Sequence, residues 1–185
     1  MALMHTPICE FGAKAPNFNL LGVNGKKWSL QDCRGDKGLL VMFICNHCPY
    51  VKAIQSRLIE DVLALHALSI GVVAINANDP TDYEEDSYEN MQLIAERLKY
   101  PFPYLIDETQ SVAKAYGAIC TPDFFGYNAD LELQYRGRLD ESERTPSSPG
   151  AQRELVEAMR QIAQTGRGPK AQIPSMGCSI KWREE

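Results

Sequence analysis

Two cysteines separated by two residues are the feature of this sequence with the most specific chemistry. Cys45 and Cys48 follow an apolar run at residues 39–44 and precede an amphipathic stretch. Two thiols at this spacing can close into a small disulfide ring. The start of a helix favours the thiolate, because unpaired amide groups and a partial positive charge lie there. The pair therefore predicts thiol–disulfide exchange. Because the first cysteine of such a pair is usually the more exposed, we expect Cys45 to be the attacking thiol and Cys48 the resolving thiol.

His47, between the two cysteines, is expected to tune this centre. An imidazolium beside the pair would stabilise the Cys45 thiolate, and a stabilised reduced state makes a disulfide a stronger oxidant. We expect the couple to be more oxidising than one with Gly-Pro between its cysteines. His47→Ala should then shift the potential in the reducing direction.

A zinc site and a pair of inert buried cysteines are the alternative interpretations. A structural zinc site needs four ligands, of which one pair of this spacing supplies two. The other candidate ligands form no second pair of the same spacing. They are Cys9, Cys33, Cys120, Cys178, His5, His47 and His66. The sequence therefore predicts no metal and no cofactor, and a non-enzymatic zinc or interaction module remains an alternative.

The elements around the pair predict an α/β fold. Residues 39–44 and 71–75 are continuous apolar runs, as in parallel strands that are buried on both faces. The stretch between them has the apolar spacing of a helix, so the three form a strand–helix–strand crossover. Cys45 follows the first strand at its carboxyl end, where the chemistry of open α/β sheets gathers.

The remaining pattern predicts a mixed sheet flanked by helices. We expect hairpin strands at residues 18–21 and 27–30, a helix at 88–98, a strand at 102–106, a helix at 107–116, hairpin strands at 124–127 and 131–136, and a last helix from Ser148-Pro149 to Gly166. The acidic segment 78–89 is interpreted as a solvated loop. One domain is predicted over residues 1–166, followed by an irregular tail at 167–185.

The net charge and the pattern of apolar residues disfavour several classes of partner and location. The 185 residues carry a net charge of −5, which disfavours nucleic acids and anionic membrane surfaces as partners. Residues 1–11 lack the pattern of a signal peptide, and no apolar stretch approaches the roughly 18 residues of a membrane span. We therefore expect a cytoplasmic location, where six cysteines do not indicate a disulfide scaffold.

Residues 12–20, 41–52, 104–107 and 115–117, together with Thr121-Pro122, resemble redoxin domains, the peroxiredoxin and AhpC/TSA-related branch of the thioredoxin superfamily. The resemblance implies a thioredoxin-like fold with an N-terminal β-hairpin extension. It also implies that Pro122 is a cis proline facing the dithiol and that the Thr121 backbone pairs with a substrate polypeptide. Segments 46–50 and 177–182 resemble a bacterial peroxiredoxin-like subfamily of thioredoxins.

The sequence departs from these families at the motif. Peroxiredoxins have a Thr or Ser three positions before the peroxidatic cysteine, and Cys45 occupies that place relative to Cys48. Leu39 stands where thioredoxins keep a buried acid, and Ile44 replaces an aromatic residue. The resemblance therefore implies a thiol–disulfide oxidoreductase in cell redox homeostasis. A thiol peroxidase with antioxidant activity is the alternative.

The other cysteines and the partners follow from this interpretation. Cys178 is either a third redox thiol, if the tail folds back to the active site, or a bystander. Cys120 should lie near the dithiol, either as a packing residue or as a regulatory thiol, whereas Cys9 and Cys33 are interpreted as structural. Expected partners are a protein or small-molecule disulfide or a hydroperoxide, and a thioredoxin or glutathione reducing system. A second copy of the chain is a further expected partner.

Overall fold

The computed structural model describes residues 2–7 and 10–184, and these form the predicted α/β fold. The strands are β1 (Leu3–His5), β2 (Asn19–Gly22), β3 (Lys27–Ser29), β4 (Gly38–Phe43), β5 (Ile70–Asn76), β6 (Tyr104–Ile106), β7 (Cys120–Thr121), β8 (Asp123–Tyr127), β9 (Leu133–Tyr135) and β10 (Met176–Ser179). The helices are α1 (Leu30–Cys33), α2 (Pro49–Ala67), α3 (Tyr88–Leu98), α4 (Ser111–Tyr116) and α5 (Glu154–Thr165), with a 3₁₀ turn at Glu84–Asp86.

The central sheet places β4 in the middle of the molecule. Its order is β3-β2-β6-β5-β4-β8-β9, with β4 parallel to β5 and antiparallel to β8. Every residue of β4 is buried, because helices cover both faces of the sheet. Leu40 and Met42 pack on the side of α2 and α5, whereas Leu39, Val41 and Phe43 pack on the side of α1 and α4, as the two-residue strand repeat requires.

Most predicted elements agree with the structure to within a few residues, and α3 matches its predicted range. The first hairpin is shorter than predicted because Leu30 begins α1 instead of ending a strand. Ser29 caps that helix: its hydroxyl accepts a hydrogen bond from the Asp32 amide, and the Asp32 carboxylate accepts one from the Ser29 amide in return. This reciprocal cap stops the strand at Ser29.

The predicted start of the last helix is wrong. Helix α5 begins at Glu154 rather than at Ser148-Pro149. Gly150 has φ +82°, a left-handed conformation that a right-handed helix cannot include, and the Ala151 amide closes a turn onto the Ser148 carbonyl at 3.0 Å. The end of the helix at Gly166 agrees with the prediction.

The prediction of an irregular tail is wrong for residues 176–179. They form β10, which lies between β1 and β7 in a second, three-stranded antiparallel sheet. The register sets Cys178 opposite Thr121 and Ser179 opposite Cys120. Residues 176–179 therefore lie beside the segment that carries Pro122.

Helix α2 is the longest helix of the described residues and carries the second cysteine of the pair at its start. Cys48 is its N-cap residue and Pro49 lies in its first turn, where the missing amide hydrogen removes no helical bond. Its buried residues include Val51, Ile54 and Leu58. No helix within the described ranges is both long and apolar enough to cross a membrane.

Candidate active site

The two thiols of the predicted centre lie at the junction between β4 and α2. Cys45 follows the end of β4 by two residues, and Cys48 caps α2. Both are reduced, like every cysteine in the described part of the chain. Cys45 is 1% exposed and Cys48 is 0% exposed. Exposure therefore does not distinguish the two sulfurs, although the prediction that Cys45 attacks assumed that the first cysteine is the more accessible.

Thr121 contacts both sulfurs. The Thr121–Pro122 peptide is cis, as the resemblance to redoxin domains implied. The Thr121 hydroxyl lies 3.1 Å from the Cys45 sulfur, and the Cys48 thiol donates a hydrogen bond to the Thr121 carbonyl at 3.2 Å. The structure thus brings together four of the predicted site residues, namely Cys45, Cys48, Thr121 and Pro122.

A buried carboxylate, Asp86, lies on the Cys45 side of the pair. It accepts hydrogen bonds from the Asn46 amide at 2.6 Å, from His47 Nδ1 at 2.5 Å and from Asn78 Nδ2 at 2.9 Å. Asn76 Nδ2 adds a longer one at 3.3 Å. We call these five residues the Asp86 network. The prediction of a solvated loop over 78–89 is wrong at Asp86, because the 3₁₀ turn folds this one acid inward.

His47 lies within this network and beside an aromatic ring. Its imidazole stacks on Tyr83, with ring centroids 4.2 Å apart and an angle of 21° between the planes. Nδ1 contacts Asp86, whereas Nε2 is buried without a hydrogen-bond partner among the described residues. The ring is therefore held on one edge and one face by the 77–87 segment.

The surroundings shift the pKa values of Asp86 and Cys45 in opposite directions. Although burial opposes ionisation of Asp86, hydrogen bonds from His47, Asn78 and the Asn46 amide hold the pKa of its carboxyl group below the ordinary value. Burial raises the pKa of Cys45 well above its ordinary value, and its hydrogen bond with Cys48 and the negative charge of Asp86 raise it further. The Thr121 hydroxyl acts in the opposite direction.

The pKa of Cys48 is lowered to about 5. The main cause is the hydrogen bond that it receives from Cys45; burial opposes the shift, and a hydrogen bond from Cys178 supports it. The amide groups at the start of α2 also favour a negative sulfur at this position. These contacts make Cys48 the more readily ionised of the two thiols, although its ionisation gives up the hydrogen bond that the Cys48 thiol donates to the Thr121 carbonyl.

Cys178 lies next to Cys48 in the structure. Strand β10 pairs with Thr121, so the Thr121 backbone is not free for the substrate polypeptide that the resemblance assigned to it. This is a correction, and its cause is the ordered C-terminal strand. Burial, together with hydrogen bonding to Cys48 and its negative charge, raises the pKa of Cys178 to about 12.

The remaining predicted cysteines have different surroundings. Cys33 is buried on α1, and burial raises its pKa to about 12. Cys120 is buried on β7, where its thiol donates a weak hydrogen bond to the Pro122 carbonyl at 3.6 Å, and burial raises its pKa as well. Cys9 lies outside the described residues.

Metal binding at this site would have to use Cys45, His47 and Asp86, whose ligand atoms lie within 4.8 Å of one another. Three ligands are fewer than the four of a structural zinc site. Both carboxylate oxygens of Asp86 already accept hydrogen bonds from the protein. The arrangement is therefore better suited to orienting His47 and the Asn46 backbone than to holding an ion.

Apart from His47, sequence reasoning did not identify the residues of the Asp86 network as part of the site. Asn76 and Asn78 flank the end of β5, the strand beside β4, and this position at the carboxyl edge of the sheet was a usable signal. Tyr104 belongs to the same layer, since its hydroxyl donates to the Asn46 side chain at 2.9 Å. Asp86 had no comparable signal, because its neighbours Glu84 and Glu85 are equally acidic and remain exposed.

Two known proteins show what this chain is similar to in sequence and in structure. A thiol–disulfide oxidoreductase of Bacillus thuringiensis, ResA, is 28% identical over 128 residues, which are 65% of each chain. The chain thus spans less than two thirds of the length of this relative. An uncharacterized conserved protein of Geobacillus kaustophilus has a solved structure with a TM-score of 0.93 and 44% identity, covering 100% of this chain and 98% of the other.

The fold and the family follow from two further matches. The thioredoxin domain of a thiol–disulfide oxidoreductase from Bacteroides vulgatus superimposes with a TM-score of 0.58 at 17% identity, over 70% of this chain and 89% of that domain. This likeness confirms the predicted thioredoxin-like fold. The sequence profile described as the AhpC/TSA family matches residues 11–141. The chain therefore belongs to the AhpC/TSA family, within the redoxin group that its sequence resembles.

Proposed function

We propose that this chain is a thiol–disulfide oxidoreductase whose reactive centre is the Cys45–Cys48 pair. The observation that carries the proposal is the contact of two reduced, buried thiols with one residue, Thr121, at the end of a central strand and the start of a helix. The relatives named as thiol–disulfide oxidoreductases support it. Its proposed role is redox homeostasis in the cytoplasm.

The electrostatics favour roles opposite to those predicted from the sequence. The Cys48 thiolate attacks one sulfur of a substrate disulfide, forming a mixed disulfide and releasing the first substrate thiolate, which takes up a proton. Cys45 then loses its proton and attacks the Cys48 sulfur, and the second substrate thiolate leaves. The substrate gains two electrons, and the chain keeps a Cys45–Cys48 disulfide. The reverse sequence oxidises a dithiol.

The burial of both sulfurs restricts the substrate. A disulfide must reach a buried sulfur beside β10, so a small or flexible disulfide fits this site better than a rigid one. Protein disulfides remain within the proposal, and thioredoxin or glutathione are the proposed electron donors.

Equilibration with glutathione tests the proposal. The full reduced chain is incubated with glutathione disulfide, quenched with acid, alkylated and digested with trypsin. Cys45 and Cys48 lie in one tryptic peptide, residues 38–52. We expect the mass of this peptide to fall by that of two hydrogens, with no glutathione attached to it. A chain that stays reduced, or carries only bound glutathione at the end point, would contradict the proposal.

Matched single variants identify the attacking thiol. We expect Cys45→Ser to form a mixed disulfide with glutathione rapidly at Cys48, because the serine hydroxyl can donate a hydrogen bond to the Cys48 sulfur as the Cys45 thiol does. Cys48→Ser should react slowly, because the pKa of the remaining Cys45 thiol is raised by burial. Cys33→Ser, a buried cysteine away from the site, is the control for both. The opposite order of rates would restore Cys45 as the attacking thiol.

Hydroperoxide reduction is a second candidate function. The observation in its favour is the lowered pKa of Cys48, which occupies the peroxidatic place of the AhpC/TSA pattern. Cys45 stands where that pattern has a hydroxyl, although the Thr121 hydroxyl lies 3.1 Å from its sulfur. Stopped-flow consumption of hydrogen peroxide separates the candidates, since a peroxidase far outpaces a free thiol.

A further inference from the structure

Strand β10 is fitted closely onto the peptide that faces the dithiol. A Cβ atom at Gly177 would lie 2.1 Å from the Thr121 carbonyl oxygen and 3.0 Å from the Pro122 nitrogen. The Ser175 hydroxyl donates to the Pro122 carbonyl at 2.8 Å. Only glycine permits this approach without a backbone shift, so the sequence of the tail is adapted to this contact.

The residues after β10 fix the strand in place. The Ile180 amide donates to the Ile119 carbonyl at 3.1 Å, and the Lys181 amide donates to the Asn78 side chain at 2.9 Å. The Asp79 amide donates in turn to the Lys181 carbonyl at 2.8 Å. The chain on both sides of Cys178 is therefore held by hydrogen bonds, and Cys178 has a defined position.

That position is next to Cys48. Directly opposite residues of antiparallel strands have Cα atoms about 4.5–5.5 Å apart. Cys178 is opposite Thr121, the residue that contacts both sulfurs of the pair, and its thiol hydrogen-bonds with Cys48. Cys178 also belongs to the same apolar cluster as Cys45 and Cys48. Cys120, on the neighbouring strand, instead donates to the Pro122 carbonyl.

We propose that Cys178 is a third redox-active thiol of this centre, which exchanges with Cys45 for a disulfide bond to Cys48. The proposal rests on the proposed thiol–disulfide activity of the Cys45–Cys48 pair. It assigns to Cys48 two alternative partners within the chain, one on each side. A substrate bound to Cys48 as a mixed disulfide can accordingly be released by either neighbour.

The exchange needs no external oxidant once the pair is oxidised. The Cys178 thiol loses its proton and attacks the Cys48 sulfur; the Cys48–Cys178 bond forms as the Cys45–Cys48 bond breaks. Cys45 leaves as a thiolate and takes up a proton. The number of disulfides and the oxidation state of the chain are unchanged.

The test is the disulfide map of the full chain oxidised with glutathione disulfide and quenched in acid. Trypsin separates Cys178, in residues 171–181, from the pair, in residues 38–52. In the wild type we expect a cross-linked peptide that joins the two segments, beside the internal Cys45–Cys48 disulfide. In Cys45→Ser the cross-link should be the main product, formed with loss of the glutathione first attached to Cys48.

Two variants serve as controls. Cys178→Ser should lose the cross-link and keep the internal disulfide, whereas Cys120→Ser should keep both. Absence of the cross-link from the wild type or from Cys45→Ser would overturn the third-thiol proposal. The internal disulfide would then still stand as evidence for the proposed function. Absence of the internal disulfide from the wild type would instead refute the proposed function itself. The wild-type map needs no variant to fold.

Discussion

The Cys45 side of the dithiol faces a network of polar side chains around a buried carboxylate, whereas the Cys48 side faces a strand that offers backbone and a third sulfur. Asp86 raises the pKa of Cys45, and Cys178 helps to lower that of Cys48. The two sides meet where the Lys181 amide donates to the Asn78 side chain. The difference in pKa between the two thiols therefore comes from their neighbours rather than from unequal exposure.

The largest expected effect comes from removing the centre of the polar side. Asp86→Ala leaves the Asn46 amide, His47 and Asn78 without their acceptor in a buried place. We expect the free energy of unfolding to fall by about 3 kcal/mol or more. Chemical denaturation of the reduced protein measures this loss. Glu85→Ala is the control, since its ion pair with Lys52 is exposed and is expected to contribute less than about 1 kcal/mol. Equal losses would show that Asp86 has no special structural role.

On the opposite side, the strand contact is tested by adding one methyl group. Gly177→Ala forces β10 away from the Thr121 carbonyl, and we expect a loss of about 1–3 kcal/mol in the free energy of unfolding. The cross-link between Cys48 and Cys178 should be lost as well. Gly168→Ala is the matched control, because its Cβ would lie 2.0 Å from the Gln134 carbonyl, away from the dithiol. A cross-link that survives in Gly177→Ala, or that is lost in Gly168→Ala as well, would contradict the comparison.

Local patterns made most of the fold and the position of the cysteine pair predictable. The continuous apolar run ending at Phe43 identified a strand buried on both faces, and the two cysteines after it marked the carboxyl edge of the sheet. The last helix failed at its start because Ser148-Pro149 satisfies the rules for a helix start, while the following Gly150 adopts a left-handed turn. A short-range pattern does not decide between a cap and a turn.

The partners of the pair were harder to predict because tertiary contacts select them. Asp86 lies among several acids of similar sequence surroundings, and only the docking of the 77–87 segment onto Asn46 buries this one. Strand β10, Met-Gly-Cys-Ser, has little intrinsic strand preference and pairs with Thr121, more than fifty positions earlier in the sequence. Cys178 was identified as a candidate, but its contact with Cys48 depends on that long-range register.

The pH dependence of the reduction potential tests the charge asymmetry of the pair. The pKa of Cys48 is about 5, and that of Cys45 is above its ordinary value of 9.0. Reduction of the disulfide therefore takes up two protons below pH 5 and one proton at a pH between the two pKa values. The potential should therefore fall by about 59 mV per pH unit below pH 5 and by about 30 mV above it. Glutathione equilibria over pH 4–8 measure the slope.

The same pKa also predicts a change in stability. A thiol whose pKa is lowered by folding stabilises the fold fully only above its ordinary value of 9.0, and this contribution is lost as the pH falls through about 5. The free energy of unfolding of the reduced protein should therefore rise between pH 5 and 8 relative to that of Cys48→Ser. A single slope of about 59 mV per pH unit over pH 4–8, without this rise in the free energy of unfolding, would contradict the prediction. It would show that both thiols have ordinary pKa values.

The smallest expected effect concerns His47, which contacts Asp86 and has a ring nitrogen within 4.8 Å of the Cys45 sulfur. His47→Ala removes the shortest hydrogen bond to Asp86, so the carboxylate repels the negative charge of the reduced pair more strongly and the reduced pair loses stability. The potential should become more negative by up to about 30 mV, which corresponds to 1.4 kcal/mol. Asp86→Asn, which removes the charge, should shift it in the positive direction, and His66→Ala on the exposed end of α2 should leave it unchanged. Shifts of the same sign in the first two variants would mean that His47 acts on the thiols independently of Asp86.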